Sequence, residues 1–215
     1  INGLHKATVQ KVNMDNNQRS NIGYLGRASY SYDDRYFFTG SYRRDGASVF
    51  GVNQKWGDFF AFGGAWRLSS EKFMSSISYL DDLKLKVSWG KNGNQGLDPY
   101  GTLSTINNGA SGGVRYEFGG SDIIYGLNQK ALGNADLGWE TTESWNTGFE
   151  SAWLGSRLFV DLDLYFSKTT DQIFTRDIPV MTGFKNMKSS MGQVNNRGVE
   201  LTIRSVNINT QDWYW

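Results

Sequence analysis

Asp161 and Asp163 stand two residues apart in the run Arg157–Ser167. In an extended chain they share one face at roughly 6–7 Å, a spacing that could suit the acid and base of glycoside hydrolysis. Catalytic pairs ordinarily come from different strands, and two solvated carboxylates on a polar face explain the pattern more simply. Arg27, Arg43, Lys84, Lys86 and Arg204 fall on the polar positions of other runs and balance them as an ion network; Glu200 falls there too. His5 is the single histidine and cysteine is absent. No His-paired nucleophile, thiolate metal site or disulfide framework can arise from such a composition.

Other candidates are weaker. Asn92, Asn94 and Asp98 around Gly93 and Gly96 form an oxygen-rich group of the kind that holds calcium, but the expected bidentate Glu is missing. A Gly-Asn turn is the simpler reading, and no cofactor is expected. The glycine-rich stretches Gly109–Gly113 and Gly119-Gly120 lack the strand-to-helix setting of a phosphate cradle. The segment with the best claim on function is Gly90–Trp139, because irregular spans this long usually bind something or stay disordered. It carries Tyr100, Tyr116, Phe118, Tyr125 and Trp139. Such rings suit the apolar faces of sugars and equally a docked protein; alternatively they pack the loop against its neighbours. No catalytic residue or metal ligand is assigned, and the chain is not expected to be an enzyme.

The elements that position these residues are strands. The chain has 215 residues, 26 of them glycine and only 2 proline, with 15 % aromatics and a formal net charge of +1. That balance gives no bulk field for nucleic acid. The longest apolar run, Phe59–Trp66, is far short of the roughly 20 residues a membrane helix needs. Period-2 alternation is strong instead. In Arg157–Ser167 one face carries Leu158, Val160, Leu162, Leu164 and Phe166, and the other Phe159, Asp161, Asp163, Tyr165 and Ser167. Leu83, Leu85, Val87 and Trp89 alternate with Lys84, Lys86, Ser88 and Gly90. Tyr36–Arg44 and Gly198–Ser205 behave alike.

The connections alternate between tight and long. Ile22–Tyr32 turns through Asp33-Asp34 into Tyr36–Arg44, and Glu140–Trp153 turns through Leu154–Ser156 into Arg157–Ser167. Asp45–Gly57, Gly90–Trp139 and Thr169–Arg197 are long. Tight turns at one end and long loops at the other describe an antiparallel up-and-down transmembrane β-barrel. Three further features favour lipid on the apolar face: it lacks mid-strand charge, aromatics gather at strand ends as girdles, and the runs approach membrane-strand length. The competing reading is a secreted or surface β-sandwich that binds carbohydrate. The tight turns, and Ser69–Asp82 with a single helical turn around Glu71–Met74, are expected on the periplasmic side. The long loops are expected outside, with Ile1–Arg19. Seven strands and the start of an eighth at Trp213-Tyr214-Trp215 imply part of a larger barrel, since a free edge is costly in hydrocarbon.

The residues also carry a family likeness. Gly26-Arg27, Asp34-Arg35-Tyr36, Arg43-Arg44-Asp45-Gly46, Phe50-Gly51 and Trp56-Gly57 resemble the SusC/RagA family of TonB-dependent outer-membrane transporters. So do Trp66-Arg67-Leu68-Ser69, Asn134-Ala135-Asp136-Leu137, Trp139-Glu140-Thr141-Thr142, Thr182-Gly183 and Asn195–Glu200. The likeness spans nearly the whole chain in order. It implies a barrel of about 22 strands, of which residues 1–215 are one stretch, with the plug domain and barrel termini elsewhere. It implies import of oligosaccharides or peptides, energised by TonB through the plug, under a SusD-like surface lipoprotein lid. Phe60 departs from the family, which often has proline there.

Overall fold

The computed structural model describes residues 16–107, 115–116 and 124–208. His5, Phe118, the glycine-rich stretches Gly109–Gly113 and Gly119-Gly120, and Trp213–Trp215 lie outside them. Seven long strands form one antiparallel sheet: β1 (Asn21–Tyr32), β2 (Tyr36–Ala47), β3 (Trp56–Arg67), β4 (Leu80–Asn94), β5 (Glu140–Trp153), β6 (Leu158–Thr170) and β7 (Gln193–Ser205). Their order in the sheet is their order in the chain. Each runs 12 to 15 residues, longer than the roughly 9–11 residues that suffice to cross hydrocarbon at a tilt.

One end of the sheet is made of tight turns. Asp33 and Asp34 both take left-handed φ values, 52° and 49°, which aspartate tolerates better than bulkier side chains. Arg35 N–H then donates to the Tyr32 carbonyl at 3.0 Å. Between β5 and β6 the same job falls to Leu154, Gly155 and Ser156, all at positive φ. The connection from β3 to β4 holds two 3-10 turns, Leu68–Ser70 and Lys72–Met74, where the sequence suggests a single helical turn.

At the other end the strands run further into the long connections than their alternation suggests. β2 continues to Ala47, β4 to Asn94 and β6 to Thr170, while β3 begins at Trp56 and β7 at Gln193. The connections themselves carry short two-stranded pieces. Thr105–Asn107 pairs with Asn128–Ala131, Arg115–Tyr116 with Ile124–Tyr125, and Ile173–Asp177 with Asn186–Ser190. Gly90–Trp139 is therefore not the structureless span expected. Backbone groups that leave the sheet pair locally instead, as buried or crowded peptide groups must.

Apart from a register shift between Leu80 and Asp82 at the turn end of β4, the register sorts the side chains continuously across the sheet. Arg27, Ser41, Ala61, Gly90, Ser144, Ser167 and Asn196 make one cross-strand row, and the adjacent row is Ala28, Gly40, Phe62, Trp89, Trp145, Phe166 and Arg197. Polar and apolar faces predicted strand by strand thus join into two continuous surfaces. Neither is covered by a second sheet among the described residues, and only the loop end of the polar face is overhung, by loop segments. Leu85, Val87, Leu164, Val199, Leu201 and Ile203 are between 39 and 67 % exposed. The sandwich reading fails here, because a sandwich would have buried these side chains against a facing sheet.

The buried core lies elsewhere, at the loop end: Ala47, Val49, Phe50, Leu97 and Leu137, with Trp139 and Ile173 packed against it. The outer edges of β1 and β7 have no partner strand among the described residues. Unpaired peptide groups cost several kcal/mol each in hydrocarbon, so the sheet is a segment of a larger closed wall.

Candidate functional site

All eight charged residues singled out in the sequence fall on one face by register. Arg27, Arg43, Lys84 and Lys86 lie on β1, β2 and β4; Asp161, Asp163, Glu200 and Arg204 lie on β6 and β7. Near the turn end they form a connected ladder. Lys86 Nζ donates to Asp163 Oδ2 at 3.0 Å and to Glu150 Oε1 at 3.1 Å, and Lys84 Nζ reaches Glu150 Oε2 at 3.5 Å. Glu150 is the hub that the sequence reading passed over. Its signal was present: it occupies a polar-parity position in Glu140–Trp153 opposite both Lys84 and Asp161. Asp163 also faces Glu200 across β6 and β7. Like charges directly opposite are unfavourable, and Lys86, set between Glu150 and Asp163, offsets part of that repulsion.

Arg204 takes another partner, lying 4.2 Å over the Phe159 ring. Arg43 pairs with Asp45 on its own strand at 2.6 Å. Arg27 stands opposite Ser41. The two neighbouring aspartates, Asp161 and Asp163, are thus treated differently. Asp163 is held by Lys86, while Asp161 lies beside Glu150 with no cation bound to it among the described residues. No group of three or more His, Asp or Glu side chains among the described residues is arranged to hold a metal ion.

At the loop end the same face is overhung by a packed cap. The segments Phe50–Gln54 and Asn134–Leu137 run side by side. Gly51 N–H donates to the Leu137 carbonyl at 2.9 Å, and Asn53 Nδ2 to Asp136 Oδ1 at 2.8 Å. A Cβ on Gly51 would sit 2.0 Å from the Ala135 carbonyl oxygen, so only glycine permits this approach. Asn134 Nδ2 donates to the Lys188 carbonyl at 3.0 Å, tying in the Ile173–Ser190 hairpin.

The aromatic candidates fare unequally. Trp139 is engaged on its ring by Phe50 at 4.7 Å and by Phe59 edge-on at 5.4 Å; it packs the cap to the wall. Tyr100 is half exposed and borders a groove of about 330 Å³ with Gln18, Ser48, Phe50, Val52 and Leu103. Tyr116 is exposed on the short strand facing Ile124. Tyr125 pairs through its backbone with Arg115. A second groove, about 480 Å³, lies where the polar face meets the cap, between Arg43, Asp45, Phe59, Asn92, Asn94 and Trp139.

A one-layer sheet with a greasy outer surface, an ion-paired inner surface and a folded cap at one rim is the wall of a membrane β-barrel. Comparison with known proteins gives the family. The model of the TonB dependent receptor-like beta-barrel matches residues 3–215, and the chain belongs to that family. It is 33 % identical over 215 residues to TonB-dependent receptor SusC of Bacteroides thetaiotaomicron, covering 98 % of this chain and 21 % of that protein. It is 33 % identical to TonB-dependent receptor P39 of Formosa agariphila, covering 100 % of this chain and 20 % of that protein. Among solved structures, the RagAB peptide importer in its open-open state superposes with a TM-score of 0.80 at 26 % identity, over 91 % of this chain and 20 % of the other. The closed-closed state gives 0.76 at 27 % identity, over 90 % and 20 %. The chain therefore spans about one fifth of the length of the relatives it matches.

Proposed function

We propose that this chain is a stretch of barrel wall from an outer-membrane importer of oligosaccharides or peptides. The observation that carries the reading is the seven-stranded sheet whose two unpartnered faces differ in polarity along its whole width. The apolar face meets acyl chains and the polar face lines a water-filled lumen. The tight turns then face the periplasm and the cap faces outward. The names of the relatives support the rest: they are TonB-dependent receptors, and RagAB is a peptide importer.

The wall's part in transport is structural. Rigid strands hold the lumen open, and the ladder of Lys84, Lys86, Glu150 and Asp163 shapes its lower half. A plug in the rest of the protein gates passage and engages TonB. The cap, with Tyr100, Tyr116 and the exposed side chains of Val52 and Leu103, offers a surface to a SusD-like surface lipoprotein that closes over the mouth. The groove between Arg43, Asp45 and Phe59 is the place where this wall touches cargo. The whole of residues 1–215 belongs to one barrel domain.

The experiment is membrane fractionation and uptake with the full-length protein. Expected results are recovery in the outer-membrane fraction, solubility only with detergent, and loss of growth on an oligosaccharide or peptide source when the gene is deleted. Recovery of the intact protein as a detergent-free soluble monomer would overturn the proposal.

A further inference from the structure

The outward face carries a charge pattern that neither passage of cargo nor docking of a lid uses. Four basic residues point to it by register, Arg44, Lys91, Lys168 and Arg197. All four lie in the loop-end half of their strands, and the turn-end half of that face has none. Three of them repeat one motif on the three strands that run toward the loops. An aromatic ring precedes the cation by two residues: Tyr42 and Arg44, Trp89 and Lys91, Phe166 and Lys168. Two residues along a strand keep the same face, so each cation stands directly loopward of a girdle ring.

The acids at this level are already engaged. Asp58, opposite Arg44, accepts the Tyr42 hydroxyl at 2.6 Å, and Glu143, opposite both Lys91 and Lys168, accepts Trp89 Nε1 at 2.7 Å. Arg44 Nε is ion-paired to Asp58 at 3.8 Å and its guanidinium lies over Trp56, so of the three only Arg44 has a carboxylate partner among the described residues. Neither Lys91 nor Lys168 has a carboxylate within ion-pair distance among the described residues. Trp56 and Ile22 stand one row further toward the loops than Arg44, around a cleft of about 260 Å³ that Gly46, Ala47 and Lys55 also line.

We propose that this band binds the phosphate groups of an outer-leaflet lipid, with Arg44, Lys91 and Lys168 on the phosphates and the acyl chains running turnward over Phe62, Trp89 and Phe166. The inference rests on the outward orientation argued above. It adds a ligand site on the opposite side of the wall from the cargo path. Basic groups at headgroup depth attract lipid phosphate, and aromatic rings one step deeper fix the level at which they sit.

The test is native mass spectrometry of the full-length barrel in detergent, loaded with phosphorylated lipid A, its dephosphorylated form, or inorganic phosphate. Each cation near a charged lipid is worth roughly fivefold, so the triple variant Arg44→Gln, Lys91→Gln, Lys168→Gln should lose on the order of a hundredfold in affinity for phosphorylated lipid. A control triple on the polar face, Arg27→Gln, Arg43→Gln, Arg204→Gln, should keep the lipid. Should the outward triple fail to fold, Lys168→Gln alone should still lose several-fold. Equal retention of dephosphorylated lipid, equal loss in the polar-face triple, or displacement by inorganic phosphate at comparable concentration would each overturn the proposal. Failure of the barrel to sit in a membrane at all would instead sink the importer reading.

Discussion

The wall and the cap use the same apolar residue types for opposite purposes. Leu137 in the cap has no exposed surface, while Leu201 on the wall keeps 60 % of its own. Both are leucines with β-branched neighbours, Val49 in the cap and Val199 and Ile203 on the wall. The cap solves the problem of a water-soluble protein by folding a small core from distant loop segments. The wall leaves its apolar side chains unburied by protein, because lipid will cover them. Composition therefore does not separate the two regions; the presence or absence of an opposing layer does. A wall strand gains its stability from register and lipid, and a cap segment from packing.

The comparison breaks most sharply at its buried end. Leu137→Ala should cost about 2–5 kcal/mol within the cap, since the side chain touches Gly51's segment and Phe50's cluster on all sides. Hydrogen exchange should show residues 47–57 and 134–139 opening, while the amides of β5 and β6 stay protected. Equal deprotection of the wall would show that cap and sheet are one cooperative unit. The same truncation on the wall, Leu201→Ala, should leave protection in the cap unchanged.

The wall breaks by a different substitution. Leu164→Arg places a charge on the outward face near the middle of β6 and should cost about 2–4 kcal/mol in a bilayer. Refolding into vesicles measures it. In the cap, exchange should be unaltered. A cost near zero would mean that this face is wet, which contradicts the proposed orientation.

The inner face responds more weakly. Lys86→Gln removes the cation that Glu150 and Asp163 share at 3.1 and 3.0 Å, leaving Glu150 with Lys84 and Asp163 with no cation among the described residues. Both carboxylates are partly exposed, so the loss should be roughly 1 kcal/mol or less per pair, with repulsion between Asp163 and Glu200 added to it. Salt should shrink the difference between variant and parent. A loss that ignores ionic strength would place the ladder out of contact with solvent.

Much of the wall was legible because alternation is a local property. Leu158 to Phe166 and Leu83 to Trp89 announce their faces without reference to any other strand, and the tight turns at Asp33-Asp34 and Leu154–Ser156 fix which neighbours pair. Two things were hidden. The strands lengthen at the loop end because their hydrogen bonding continues past the apolar stretch, where residues such as Asp45, Glu143 and Lys168 no longer alternate by polarity. The cap was hidden because its contacts join residues far apart in the chain: Phe50 with Leu137 and Trp139, and Asn134 with Lys188. Trp139 reads as a free platform until Phe50 and Phe59 are seen against its ring. Glu150 was overlooked because a lone acid in an otherwise uncharged half-strand gives no hint of the two lysines opposite.

The smallest effect concerns how the turn end is tied to its girdle. Glu71, in the β3–β4 connection, accepts the Tyr36 hydroxyl at 2.7 Å and Trp66 Nε1 at 3.1 Å, with Arg35 3.6 Å away. Those contacts hold its carboxyl below the ordinary range, the tyrosine first, then the tryptophan; partial burial opposes them, and the Arg35 charge adds to the lowering. A depressed folded-state pKa means the stabilisation is fully present above the ordinary carboxylate range. It is lost as pH falls through the lowered value, when the proton displaces a donor. The protection of residues 68–75 relative to the intrinsic exchange rate at each pH should therefore fall on acidification in the parent. In Glu71→Gln, whose side-chain amide oxygen can still accept both bonds but cannot titrate, that acid-dependent loss of protection should disappear. Should the two proteins share the same pH profile, the girdle rings are held by packing alone, and the carboxylate is a bystander at the water line.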